Sequence, residues 1–264
     1  MYSVGNKRVF GAVMLLLPMV TLFTCFAQGF PKLPYGMTFV YEILEDDGNV
    51  GLLTLDFGWP RYDSINGMYY LEVTRTEEWE TPRSWSIQEH TIVDLTNLAP
   101  LLYQQQETME SQVYSSCFLF HPEEDRIQIC GADQQKREIS RTGEELDYLS
   151  LLCRLMVAWD SFEELGVLDL FTQGERWFAK GRLQPLVLSG ETVWALPFYL
   201  TGEQGLETIW LDEKTLWPLQ FQLGAPWRGY TARLVSMEEK LLHYSGVLEW
   251  KMQEELQGPV GRWR

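Results

Sequence analysis

Histidines, cysteines and carboxylates are the side chains that most often carry chemistry, and their spacing here argues against an active centre. His90, His121 and His243 lie far apart, each without a ligand-spaced partner. There is no zinc-protease helix, nucleophile elbow or Walker loop. Gly202-Glu203-Gln204-Gly205 reads as a hairpin turn rather than a phosphate cradle. Acidic residues come in adjacent pairs (Glu77-Glu78, Glu144-Glu145, Glu238-Glu239, Glu254-Glu255), and neighbours on a strand point to opposite faces. Two acids far apart in sequence could still converge as in a glycosidase, so a carbohydrate-active or other hydrolase stays as a third reading. No metal and no cofactor is expected.

The cysteines suggest covalent chemistry of a different kind. Cys117 and Cys130 are equidistant from Pro122-Glu123-Glu124-Asp125, which reads as the turn of a hairpin. They can therefore face each other across two strands, and an oxidising compartment would bridge them. Zinc is the sharper alternative, but there is no Cys-x-x-Cys and His121 is the only histidine nearby. Cys153 lies in an apolar helical stretch and reads as a buried thiol.

Candidate binding residues are aromatic, with one polar stripe. The chain has 11 tryptophans. Trp177, Trp194 and Trp210 could line an apolar pocket, or fill the core of a large curved sheet. Asp147, Ser150 and Arg154 share one narrow face of a helix. Exposed, that stripe is a solvated side. Buried, Asp147 and Arg154 would pair and tie helix to sheet, with Arg154 available to an anionic headgroup.

The elements that must position these groups are mostly strands. Phe39, Tyr41 and Ile43 alternate with Val40 and Glu42; Tyr69, Leu71 and Val73 alternate with Tyr70, Glu72 and Thr74; Leu219, Phe221 and Leu223 alternate with Gln220 and Gln222. Turn signals such as Asp46-Asp47-Gly48-Asn49, Asn66-Gly67 and Ser189-Gly190 separate the runs. This is the pattern of a large antiparallel sheet with one face buried. Thr142-Gly143-Glu144-Glu145 reads as a capping box opening a helix that runs to about Trp159, apolar on most sides. A mainly β fold is expected, an unclosed β-barrel wrapped around one buried α-helix. Met237 to Gln257 reads equally as a terminal strand or an amphipathic helix.

The N-terminus sets the compartment. Lys7 and Arg8 precede an uncharged apolar stretch from Val9 to Pro31, the plan of a bacterial export signal. Residues 1–27 are expected to be a signal peptide cut after Ala27, leaving 28–264 as a single domain with a C-terminal tail. Lipidation at Cys25, anchoring the protein to the outer membrane, and retention as a membrane span are the alternatives, the latter kinked at Pro18. A net charge of −16 repels phosphate backbones and anionic lipid surfaces alike, so no nucleic-acid partner is expected.

One motif occurs twice. Asp94-Leu95-Thr96-Asn97-Leu98-Ala99-Pro100-Leu101 and Asp212-Glu213-Lys214-Thr215-Leu216-Trp217-Pro218-Leu219 share Asp-x-x-x-Leu-x-Pro-Leu. Each follows an apolar strand. The physical reading is a strand–turn–strand unit: the aspartate caps turn amides, the leucine plugs the core and the proline opens the next strand.

Ile209-Trp210-Leu211-Asp212, Leu216-Trp217-Pro218-Leu219 and Gly229-Tyr230-Thr231-Ala232-Arg233-Leu234 resemble the closing strands of a family of exported bacterial proteins of unknown function. Asp94 to Pro100 resembles its central turn, and Asp147-Tyr148-Leu149-Ser150 with Arg154 its central helix. Gly36 to Ile43 resembles its opening strand, so the resemblance spans most of residues 34 to 238. It implies a fold similar to the periplasmic lipoprotein carriers, in which an unclosed barrel wraps a helix around an apolar cavity. The expectation is a non-enzymatic periplasmic protein binding a lipid, an acyl chain or a lipoprotein tail. A structural or interaction module of the cell envelope, docking a protein partner, is the alternative.

Overall fold

A computed structural model describes residues 30–45, 48–80, 85–110, 112–121, 124–131, 136–140, 146–159, 165–169, 174–202, 205–223 and 229–240. Leu33–Arg264 form one compact unit. The expectations placed on the signal segment, Cys25, the box at Thr142 to Glu145 and the tail beyond residue 240 fall outside the described residues.

Period-two alternation produces the expected strands. They are β1 (Met37–Glu45), β2 (Gly48–Phe57), β3 (Arg61–Asp63), β4 (Met68–Trp79), β5 (Trp85–Asp94), β6 (Pro100–Met109), β7 (Gln112–His121), β8 (Arg126–Gly131) and β9 (Lys136–Ser140). Helix α1 (Tyr148–Ala158) follows, then β10 (Leu165–Asp169), β11 (Gly174–Lys180), β12 (Gln184–Leu188), β13 (Glu191–Gly202), β14 (Gly205–Asp212), β15 (Pro218–Leu223) and β16 (Tyr230–Glu239). All sixteen belong to one sheet, in the order β10-β11-β13-β14-β15-β16-β1-β2-β4-β5-β6-β7-β8-β9, with β3 beside β4 and β12 beside β13. Every pairing is antiparallel, and the last strand pairs with the first, Ile43 opposite Ala232. Strands β9 and β10 end the order without pairing to each other, so the barrel is unclosed.

The inward faces carry the core. Phe39, Tyr41, Ile43, Leu53, Leu55, Phe57, Leu71, Val73, Phe198, Ile209 and Phe221 are almost wholly buried. Edge-to-face ring contacts knit them, as between Tyr41 and Phe221 at 5.2 Å and Phe39 and Phe57 at 5.9 Å. The Tyr41 hydroxyl donates to the carbonyl of Pro218 at 2.8 Å, so even the buried phenol has a partner.

Helix α1 links the two open edges in sequence and packs on β4 and β5. Leu149, Leu151, Leu152, Cys153, Leu155 and Met156 are buried. The described helix starts at Tyr148, with Asp147 as its N-cap. The Asp147 carboxylate accepts from the amides of Leu149 at 2.9 Å and Ser150 at 3.0 Å. A second bond, from the Thr91 hydroxyl of β5 at 3.0 Å, anchors this cap to the sheet.

The repeated motif builds the same turn twice. Leu98 and Leu216 both take left-handed backbone, with φ of 58° and 59°. That conformation costs a non-glycine residue roughly 1–2 kcal/mol. The aspartates offset it. Asp94 Oδ1 accepts from the amide and hydroxyl of Thr96, and Asp212 Oδ2 from the amides of Lys214 and Thr215 and the Thr215 hydroxyl. The ladder shifts register at both, between Ile92 and Val93 and between Trp210 and Leu211.

Candidate functional site

The inward face of β4, β5 and β6 changes character along the strands. Val73, Thr91 and Tyr103 lie opposite one another; one step along, Arg75 faces Glu89; at the end of the row, Trp79 faces Trp85. The interior therefore passes from apolar, through a charged belt, to an aromatic rim. Arg75, Glu77 and Glu89 in that belt are all more than nine-tenths buried.

The belt is closely bonded. The Arg75 guanidinium donates to Glu89 Oε2 at 2.9 Å and, through its other terminal nitrogen, to Glu77 Oε1. The Tyr103 hydroxyl donates to Glu89 Oε1 at 2.5 Å and the Tyr230 hydroxyl to Glu77 Oε2 at 3.0 Å. Trp79 Nε1 reaches Glu77 Oε2 at 3.3 Å, and Trp85 Nε1 reaches Glu107 Oε1 at 2.9 Å. Trp79 also meets the Tyr230 ring edge-on at 4.4 Å. Burial works against the charge on Arg75, but Glu77 and Glu89 outweigh it and hold the guanidinium ionised.

Tyr148, the first residue of α1, sits against this belt. Its ring centroid lies 4.8 Å from the Arg75 guanidinium. Burial raises its phenol; Arg75 opposes the rise, and Glu207, Glu89 and Glu77 add to it. The Tyr148 hydroxyl and Arg75 Nε are buried without a hydrogen-bond partner among the described residues. Such groups are uncommon in folded proteins.

Beside Tyr148, Asp147 is pushed up to about 6, chiefly by burial, against the lowering effect of its hydrogen bonds. Proton counting agrees. Thr91 Oγ1 has two acceptors, Asp147 Oδ2 and the Leu102 carbonyl, for one hydrogen. Ser150 Oγ likewise has two, Asp147 Oδ2 and the Asp147 carbonyl. A proton on Asp147 Oδ2 supplies one of the two missing donors.

Sequence reasoning missed Arg75, Glu77, Glu89 and Glu207. One signal was available: the motif extends upstream. Glu89 and Glu207 each stand five residues before the motif aspartate, as Glu89-His90-Thr91-Ile92-Val93-Asp94 and Glu207-Thr208-Ile209-Trp210-Leu211-Asp212. Both glutamates are buried.

The residues singled out from sequence do not all converge. Asp147 is the buried cap. Arg154 is half-buried, with Nε 3.4 Å from the Leu98 carbonyl. Trp194 is 52% exposed, on the inward row of β13 but beyond its buried part. Trp210 pairs with Pro197 and alternates with buried Ile209 and Leu211, so it lies on the other face. Trp177 pairs with Thr201 on β11, and its side chain is outside the described residues.

Cys117 and Cys130 are direct cross-strand partners, as the turn-centred spacing implied. Both are half-buried free thiols. Gln104 and Gln128 amides approach their sulfurs at 3.9 and 3.8 Å. Burial, with Cys130 alongside, pushes the Cys117 thiol up to about 11. Cys153 is buried and its thiol raised, chiefly by burial. Among the described residues no three His, Cys, Asp or Glu side chains gather as metal ligands, and no helix is long and apolar enough to cross a membrane.

Fold and interior together define a class: an unclosed, barrel-like antiparallel sheet with one helix packed on its inner face. No protein-family model and no curated protein matches the chain. Among solved structures it is similar to a β-barrel-like protein of the domain of unknown function DUF1849 from Brucella abortus. Identity is 10%, the match covers 80% of this chain and 98% of that one, and the TM-score is 0.52. At that identity the likeness is one of fold alone.

Proposed function

We propose that this is a non-enzymatic protein of the bacterial envelope, exported by its N-terminal segment, that holds an apolar ligand between the half-barrel and α1. The observation that carries the reading is the graded inner face of β4–β5–β6. Apolar walls suit an acyl chain, and the belt of Arg75, Glu77, Glu89 and Tyr148 suits the polar head of the same molecule. Lipids and lipoprotein tails have that chemistry, and the sequence resemblance to carrier-like exported proteins points the same way. Fold analogy alone would not suffice.

Asp147 and Tyr148 are the residues we assign to the ligand's polar end. Arg154, Trp194 and Trp210 lie further out and serve entry or packing. A purely structural envelope module that docks a protein partner is the second reading. It is favoured by how completely α1 is buried.

Native mass spectrometry with organic-solvent extraction distinguishes them, on the full chain expressed with its signal and recovered from the periplasm without detergent. A stoichiometric lipid or other apolar adduct is expected. A clean apo mass would sink the carrier reading in favour of the module. The same spectrum reports two further expectations. The N-terminus begins after Ala27 or carries lipid on Cys25, and oxidation of Cys117 and Cys130 to a disulfide lowers the mass by two hydrogens. Closing that short loop stabilises the fold by up to about 3 kcal/mol.

A further inference from the structure

The hydrogen bonds of the charged belt leave only one kind of group unsatisfied. Every carboxylate oxygen of Glu77 and Glu89 already accepts. Glu77 Oε1 takes one terminal nitrogen of Arg75, and Glu77 Oε2 takes the Tyr230 hydroxyl at 3.0 Å and Trp79 Nε1 at 3.3 Å. Glu89 Oε2 takes the other terminal nitrogen at 2.9 Å, and Glu89 Oε1 takes the Tyr103 hydroxyl at 2.5 Å. Donors are what remain. Arg75 Nε–H and the Tyr148 hydroxyl are buried with no hydrogen-bond partner among the described residues. Arg75 as a whole is only 8% exposed.

These two groups flank the seam between helix and sheet. Tyr148 is the first residue of α1 and Arg75 lies on β4, with the guanidinium 4.8 Å from the Tyr148 ring centroid. That seam is where the carrier reading puts the ligand. A head group there has two conditions to meet.

The first is to supply acceptors, because a buried donor left unpaired is costly. The second is to carry no charge. An arginine ordinarily grips a carboxylate or phosphate with a fork of two nitrogens, but here Glu77 and Glu89 occupy that fork. One guanidinium also stands against two carboxylates, so an anion would add like charge where the dielectric is low. A cationic amine would bring further donors, and would have to displace Tyr103, Tyr230 or Trp79 to find acceptors. An alcohol or amide is neutral but carries a donor of its own. An ester carries acceptors alone.

We propose that the polar end held by Arg75 Nε and the Tyr148 hydroxyl is the uncharged carbonyl of an acyl ester. The belt thereby selects esterified chains over free fatty acids and alkylamines. Glu77 and Glu89 act as positioning residues, closing the arginine fork to anions. The inference rests on the carrier reading and narrows it to one class of ligand.

The test is competition between probes that share a chain length and differ in the head. The full chain, recovered from the periplasm without detergent, is mixed with octadecene and, in turn, methyl oleate, ionised oleate or oleylamine. Native mass spectrometry counts the bound species. Methyl oleate should outcompete the hydrocarbon about tenfold, the effect of one or two buried hydrogen bonds, and the two charged probes should not. Tyr148→Phe keeps the ring over Arg75 and should lower the preference for methyl oleate about fivefold. Free of lipid, this variant should melt no lower than the parent, because it removes a buried hydroxyl that lacks a partner. Oleate or oleylamine bound in preference to methyl oleate overturns the ester and leaves a carrier of charged lipids. Equal binding of every probe overturns it as well and leaves a carrier that reads chains alone. If no probe binds, the carrier reading fails and this inference falls with it. A Tyr148→Phe protein that melts lower yet keeps the full preference overturns the subsite, since its hydroxyl is then bonded within the fold.

Discussion

The two units that share the repeated motif, β4–β5–β6 and β13–β14–β15, have one backbone plan and opposite interiors. Their turns match in aspartate cap, left-handed leucine and opening proline. Their inward positions do not. Where the first unit has Arg75, Thr91 and Tyr103, the second has Leu200, Ile209 and Phe221, around the equivalent glutamates 89 and 207. Turn chemistry sets the shape of such a unit and leaves its inward residues free to vary. The polar unit is the one that receives the helix, because Thr91 is the side chain that holds Asp147.

Making the first unit resemble the second should be most costly at the charge pair. Arg75→Leu leaves Glu77 and Glu89 buried without their guanidinium, and a loss of about 3–5 kcal/mol in urea unfolding is expected. Adding Glu77→Gln and Glu89→Gln should recover most of it. If Arg75→Leu alone is neutral, the belt is not the feature that separates the two units.

Asp147 comes next. Its pKa of about 6 in the folded protein lies above the ordinary 3.8, so the fold binds a proton that the unfolded chain releases. This contribution to stability is fully present below pH 4 and is lost as pH rises through about 6. At about 1.4 kcal/mol per pH unit it amounts to 3 kcal/mol at most. Asp147→Asn keeps an oxygen for the Leu149 and Ser150 amides but cannot titrate. Its melting temperature should vary less than the parent's between pH 4 and 6.

Smaller effects test the similarity rather than the difference. Asp94→Ala and Asp212→Ala should each cost about 1–2 kcal/mol, as lost caps do, and by nearly equal amounts. The double substitution should be additive, since the turns share no partner. Markedly unequal losses would mean that the motif does different work in its two places.

The sheet, the hairpin register of Cys117 and Cys130, and both motif turns were legible because each is a local pattern: alternation, turn-centred spacing or a fixed set of turn residues. The charged belt was not legible from patterning. Arg75 and Glu77 keep the period of Leu71 and Val73 but break their polarity, so alternation alone places them in the interior only by contradicting the rule that charges face out. Glu89 and Glu207 could have been found by extending the motif five residues upstream. The cap at Asp147 was not legible for another reason: the Thr91 bond that anchors it joins residues far apart in sequence.

Thr91 offers the finest comparison, because its counterpart in the second unit is Ile209 and the change is one hydroxyl. Thr91→Val keeps the shape, removes the donor to Asp147 Oδ2 and the Leu102 carbonyl, and should cost about 1 kcal/mol. A purely structural role for the hydroxyl predicts that loss at every pH. The proton arrangement around Asp147 predicts more. The Thr91 bond lowers the Asp147 pKa, so its removal should move the titration midpoint above about 6, read from the carboxyl carbon resonance of Asp147 or the pH profile of unfolding. A midpoint that stays put would make Thr91 a packing residue and leave the docking of α1 on the polar unit to Arg75 and Tyr148.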